Sequence, residues 1–92
     1  MKLTVEFMGL ARKLAQTKSS LVHVSDQATF RDVLCKLAEQ FPDLVGPVIV
    51  PATHDLESAY MLNVGGRRAV QNLDEPAKED QRLYLMFLEA GG

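Results

Sequence analysis

The sequence predicts an α+β domain in which four to five strands pack on one main helix. Three observations carry this. Lys2 to Met8 alternates with a period of two, Thr29 to Phe41 repeats its apolar residues at helical spacing, and Leu83 to Leu88 is apolar throughout. With 92 residues, 47% hydrophobic and 24% charged, the chain has material for one modest core. The expectation is a single domain over residues 1–88, followed by a flexible tail over residues 89–92.

The elements follow in order. Leu3, Val5 and Phe7 share one face of the first segment and Lys2, Thr4 and Glu6 the other, the pattern of a half-buried strand that Gly9 ends. Leu10 to Gln16 holds good helix formers and predicts a short helical turn. Ser20 to Val24 is a second strand, and the short connection makes it antiparallel to the first. In the long helix Thr29 is the N-cap, with Asp32 placed for a capping box. Phe30, Val33, Leu34, Leu37, Ala38 and Phe41 form its buried stripe, and Pro42 stops it. Asp43 to Ala59 has no clear period; Val48-Ile49-Val50 is apolar, and Ala52 to Ser58 is a polar loop. Tyr60 to Val64 and Arg67 to Val70 are strands joined by Gly65-Gly66, a pair that suits a hairpin turn with positive φ at both positions. Asn72 to Gln81 is acidic and turn-like. Continuous apolarity from Leu83 to Leu88 marks a central strand covered on each side.

Composition excludes several function classes. A formal charge of −2 leaves no basic footprint for nucleic acid or an anionic membrane. Four Phe, two Tyr and no Trp are too few for a base-stacking platform. No apolar run approaches the roughly 20 residues of a membrane span, and no signal peptide precedes Glu6 and Arg12. The single cysteine, Cys35, fits a reducing compartment, so a cytoplasmic location is expected.

Catalytic constellations are weak. His23 and His54 have no partner at metal-ligand spacing and point to structural or surface roles, so no metal is expected. Cys35 lies beside the apolar stripe of the helix and is either a half-buried small residue or a transient thiol. Gly65-Gly66 lacks the phosphate-loop pattern and precedes a strand, which favours the hairpin reading. Arg67 and Arg68 form a solvated face or dock an acidic partner.

The ending Glu89-Ala90-Gly91-Gly92 carries more chemistry. Four extended residues reach about 13 Å. Glycine has no Cβ, so Gly91 and Gly92, with Ala90 behind them, suit threading through a narrow channel. A terminal carboxylate at Gly92 is ionised at neutral pH and can attack the α-phosphate of ATP. A frayed end is the alternative reading.

In order and in ending, the chain resembles the ubiquitin-like β-grasp sulfur carriers, most of all the small subunit of molybdopterin synthase. The resembling pieces are Val5-Glu6-Phe7-Met8-Gly9-Leu10-Ala11-Arg12, Ala28-Thr29-Phe30-Arg31-Asp32-Val33-Leu34 and Leu83 to Gly92. The resemblance implies a mixed sheet and a carrier that is not itself a catalyst. A ubiquitin-activating-type adenylating enzyme, using ATP and Mg²⁺, would adenylate Gly92. A sulfur donor protein would convert it to a thiocarboxylate, and a large molybdopterin synthase-type subunit would take the sulfur into a molybdenum or tungsten cofactor. The chain itself would bind no cofactor.

Three features depart from that family. The hairpin reads Asn63-Val64-Gly65-Gly66, the acidic turn Ala77 to Gln81 has no glycine, and Pro51 to Ala59 looks like an insertion. In the β-grasp arrangement Leu83 and Leu85 should face the helix, leaving Tyr84, Met86 and Leu88 on the outer face as a partner-binding surface; the alternative is burial of that face under the insertion or in a homodimer. Two rival functions share the same terminus: a modifier joined through Gly92 to lysines, and an interaction domain whose Gly-Gly is incidental.

Overall fold

The computed structural model describes residues 1–88; the tail, with Gly92, Gly91 and Ala90, lies outside the described residues. Strands β1 (Lys2–Phe7), β2 (Ser19–His23), β3 (Tyr60–Val64), β4 (Arg68–Ala69) and β5 (Arg82–Phe87) form one sheet in the order β2-β1-β5-β3-β4. β1 runs parallel to β5, and every other pair is antiparallel, so the sheet is mixed. Helix α1 (Leu10–Ala15) follows β1, and α2 (Phe30–Gln40) packs across one sheet face. This is an α+β β-grasp fold, as the order of elements predicts.

Alternation decides which side chains meet the helix. Leu3, Val5 and Phe7 of β1, Val22 of β2, Leu62 of β3 and Leu83 and Leu85 of β5 are buried against Phe30, Val33, Leu34 and Leu37 of α2. Phe7 and Phe41 meet edge to face with centroids 5.1 Å apart, closing the core at the C-terminal end of α2. Thr29 caps the helix as its sequence predicts. Its Oγ1 accepts from the Asp32 amide at 3.2 Å, while its own amide donates to the Asp32 carboxylate at 2.9 Å.

Two segments differ from the sequence reading. The acidic stretch before β5 is more than a surface turn, because it completes the start of α2. Backbone amides of Phe30 and Arg31 donate to the carbonyls of Glu75 (3.1 Å) and Leu73 (2.8 Å), and Ala77 is buried. Amides in the first turn of a helix have no partner within it, and this segment supplies two. The weakly patterned stretch after Pro42 begins as a 3-10 turn (Pro42–Leu44) and closes the lower core with Leu44, Val48 and Ile49, all fully buried. Its path is set by bonds such as Gly46 N–H to the Ile49 carbonyl (2.8 Å), where Gly46 has φ 105°. The predicted hairpin is present, with Gly65 and Gly66 at φ 63° and 75°. The strand after it is only two residues long.

Thr29→Ala should cost about 1 kcal/mol of unfolding free energy through loss of the cap. Leu34→Ala should cost about 2–5 kcal/mol through loss of packing and the cavity left behind. Urea unfolding of both variants measures the two values, and a larger loss for Thr29→Ala would contradict the assignment of the core.

Candidate functional site

β5 lies between β1 and β3, so its backbone is bonded along both edges and its side chains are held in register. Leu83 and Leu85 face α2 and are fully buried, whereas Tyr84 and Met86 point the other way and are half-buried. The apolar run alone reads as a strand covered on both faces, while the β-grasp resemblance leaves Tyr84, Met86 and Leu88 on an outer face. Within the described residues α2 covers one face only, and the outer face ends at Tyr84 and Met86. The strand's apolarity there reflects an open surface.

Register defines the neighbours on that surface. Met86 pairs directly with Met61 of β3, and Tyr84 pairs with Asn63. On the other side Glu6 lies level with Tyr84 and Phe7 with Leu85. Met8 continues β1, its amide donating to the Leu85 carbonyl at 3.2 Å, and so falls level with Met86. Polarity changes along β5: Arg82 forms an ion pair with Glu6 at its start, and Tyr84, Met86 and Leu88 follow towards its end.

Because β1 and β5 are parallel, both finish at the same edge of the sheet. Met8 (37% exposed), Leu10 (46%), Phe87 (53%) and Leu88 (45%) all gather there, and of the large exposed apolar residues only Leu21 lies elsewhere among the described residues. Sequence reasoning missed Met8 and Leu10 as members of this edge, and it missed Phe87. By alternation Phe87 belongs to the helix side, but β5 extends past the cover of α2, and the ring rests edge-on against Tyr60 with centroids 5.3 Å apart. The signal in the sequence was the length of the apolar run relative to the helix above it. Leu88 donates its amide to the Ala59 carbonyl at 2.6 Å, which fixes the point from which Glu89 to Gly92 continue. Beside it an open cleft of about 580 Å³, bordered by Leu56, Tyr60, Val70, Leu73 and Leu88, follows the edge of β3 that β4 is too short to cover.

The segment from Pro51 to Ala59 is tied to the start of α2, and the outer face stays open. Arg31 donates to Asp74 at 2.8 Å, to the Thr53 carbonyl at 3.0 Å and to Asp55, so a single guanidinium joins the helix, this segment and the acidic stretch. Hydrogen bonds from Arg31 hold the carboxyls of Asp55 and Asp74 below the usual carboxylate range. The remaining sequence candidates separate. His23 is exposed on β2 and His54 sits in the segment from Pro51 to Ala59 at φ 58°. Among the described residues no three His, Cys, Asp or Glu side chains gather as a metal site. Cys35 is half-buried, and burial followed by the charges of Asp32 and Glu39 pushes its thiol up, which suppresses the thiolate a nucleophile needs. Arg68 pairs with Glu75 at 3.1 Å, so this cation is already partnered within the chain. No helix of the described residues is long and apolar enough to cross a membrane.

Sheet order, the parallel pairing of β1 with β5 and the helix across one face define a ubiquitin-like β-grasp domain. Solved structures share it along nearly their whole length. The chain superposes on small archaeal modifier protein 1 of Haloferax volcanii with a TM-score of 0.85, at 22% identity and covering 100% of both chains. It matches a chain of the BexX/CysO complex of Amycolatopsis orientalis at 0.72, with 17% identity over 98% of this chain and 99% of that one. It also matches a chain of the complex of subunits 1 and 2 of molybdopterin-converting factor from Helicobacter pylori at 0.59, with 16% identity and full coverage of both. No protein-family model matches the sequence, and no curated protein matches it. At these identities the likeness establishes the fold.

The Arg31 junction has a definite pH signature. A carboxyl whose folded pKa is depressed contributes stability above its unfolded value, ordinarily about 3.9, and that contribution is lost as pH falls through the lower folded value. Carboxyl NMR titration should therefore find Asp55 and Asp74 titrating below the ordinary range, and both should rise towards it in Arg31→Met. Ordinary values in the unsubstituted protein would show that the junction is not formed in solution.

Proposed function

We propose that this protein is a ubiquitin-like sulfur carrier whose C-terminal Gly92 is adenylated and then thiocarboxylated to donate sulfur in the synthesis of a molybdopterin-type cofactor. The observation that carries the reading is the apolar edge formed by Met8, Leu10, Phe87 and Leu88 at the end of the central strand, immediately before Glu89-Ala90-Gly91-Gly92. A rigid strand bonded on both sides supplies a fixed origin for the tail, and exposed apolar side chains around that origin suit a partner that must grip the domain while it receives the terminus.

The chemistry is simple for the carrier. The Gly92 carboxylate attacks the α-phosphate of ATP, and pyrophosphate leaves. Sulfide then adds to the acyl carbon of the adenylate, AMP departs, and a thiocarboxylate remains. Gly91 and Ala90 keep the approach narrow, and the adenylating enzyme supplies the ATP and Mg²⁺ sites. Tyr84, Met86 and Leu88 form the docking face for that enzyme and for a large synthase-type subunit, with a sulfur donor protein acting on the adenylate. In support, two solved chains of the same fold occur in complexes, one with subunit 2 of molybdopterin-converting factor and one with BexX.

A second reading has its own support. The chain superposes on small archaeal modifier protein 1 of Haloferax volcanii at a TM-score of 0.85 and on a molybdopterin converting factor subunit 1 of Pyrococcus furiosus at 0.79, so the fold suits a modifier as well as a carrier. In that reading the same adenylate is passed to a lysine of another protein, and an isopeptide bond forms at Gly92.

Intact mass after incubation with ATP, Mg²⁺, an E1-like adenylating enzyme and sulfide tests the shared step. The expected result is exchange of one oxygen for sulfur, absent from a variant lacking Gly92; no exchange with any of several such enzymes would overturn the proposal. Hydroxylamine-stable conjugates of higher mass in cell extract would favour the modifier reading. Met86→Glu should leave the unfolding transition cooperative while lowering the adenylation rate at sub-saturating carrier roughly tenfold or more, as a charge placed in an apolar contact does. An unchanged rate would remove Met86 from the docking face.

A further inference from the structure

Three of the four methionines stand side by side on the outer face of the sheet. Met86 of β5 pairs directly with Met61 of β3, and Met8 falls level with Met86 on the other side, through its amide bond to the Leu85 carbonyl. Neighbouring strands lie about 4.8 Å apart, so the row spans three strands within about 10 Å. None of the three belongs to the core packed beneath α2, and Met8 is 37% exposed while Met61 and Met86 are half-buried. Met1, the fourth, packs against that core. Leucine or isoleucine would give an equally apolar face; thioethers add one property that hydrocarbons lack, which is reactivity towards peroxide.

We propose that Met8, Met61 and Met86 form a site of reversible oxidation that switches the docking face from apolar to polar without unfolding the domain. In the chemical step a thioether sulfur attacks one oxygen of hydrogen peroxide. The S–O bond forms as the O–O bond breaks, sulfur loses two electrons, and the other peroxide oxygen leaves as water after proton transfer. The product sulfoxide is polar and strongly accepting, and a methionine sulfoxide reductase with a thiol reductant reverses it. Three sulfoxides in one row replace the most adaptable part of the contact surface with groups that a partner's apolar side chains cannot satisfy. Met8 reacts first, since it is the most exposed of the four. The site itself stands on register and exposure alone; its effect on docking rests on the functional reading given above.

The test treats the folded protein with hydrogen peroxide and maps sulfoxides by peptide mass spectrometry, with far-UV circular dichroism and urea unfolding on the same samples. Sulfoxide at Met8, then at Met86 and Met61, in protein that keeps its native spectrum and cooperative unfolding is the expected result. Modification of Met8 alone, or of the row only after unfolding, would overturn the site. The same samples are then assayed for ATP–pyrophosphate exchange with an E1-like adenylating enzyme. If the untreated carrier supports exchange, oxidation should lower it at least about tenfold, and reductase with dithiothreitol should restore it. Undiminished exchange by the oxidised carrier would refute the switch. If the untreated carrier gives no exchange, the functional reading fails and the switch with it, while the mapping still decides the site. In M8L/M61L/M86L the ratio of exchange after peroxide to exchange before it should return to one, whatever the variant's starting rate; a persisting loss would place the sensitivity elsewhere.

Discussion

The structure depends on the parallel ladder between β1 and β5, which joins the first strand of the chain to its last. Thr4 to Phe7 pair with Arg82 to Leu85, and only through this pairing do Leu3, Val5, Phe7, Leu83 and Leu85 become one continuous apolar surface. A parallel pair cannot be linked by a tight turn, so everything between residues 8 and 81 serves as its crossover. The helix α2 lies in that crossover and buries its stripe on the surface that the two strands create together. Neither half of the sheet, β2-β1 or β3-β4-β5, offers the helix a complete seat.

The same ladder arranges the candidate site. Parallel strands end at the same edge, which is why Met8 and Leu10 arrive beside Phe87 and Leu88 although nearly eighty positions separate them in sequence. An antiparallel pairing would have sent the end of β5 to the edge where Lys2 lies and its start, Arg82, to the edge of Met8. Charge and apolarity are thereby sorted along one strand, with ions at its start and sulfur, aromatic and aliphatic groups at its finish.

Much of this was legible in the sequence because period-two and period-3.6 patterns report directly on burial. Val5 against Glu6, or Val33 and Leu37 against Lys36, declares a face without any knowledge of the partner element. Leu44, Val48 and Ile49 could not be placed in that way. They are buried through a chain of turns whose hydrogen bonds, such as Glu57 N–H to the Val48 carbonyl at 2.9 Å, leave no period in the apolar pattern. Arg31 was similarly opaque. Its two carboxylates, Asp55 and Asp74, are 24 and 43 residues away, so nothing local marks it as a junction. The apolar run of β5 by itself implied cover on both faces, whereas the β-grasp resemblance left Tyr84, Met86 and Leu88 outside; such a run looks the same whether its cover lies within the chain or in another molecule. The tail, Glu89 to Gly92, lies outside the described residues, and its role rests on sequence and chemistry.

The position of β5 also has a consequence for synthesis. The central strand of the sheet is the last of the five to be made, so through most of translation β1 carries one edge with no neighbour, and α2 has only part of its seat. Contacts between segments this far apart in sequence form slowly, because the long intervening loop must be closed before they repay its entropy. The core is therefore sealed only when Arg82 to Phe87 have been delivered. Any segment that follows Phe87 emerges from the ribosome at about the moment the domain becomes able to fold, which keeps exposure of the tail and completion of its supporting strand close together in time.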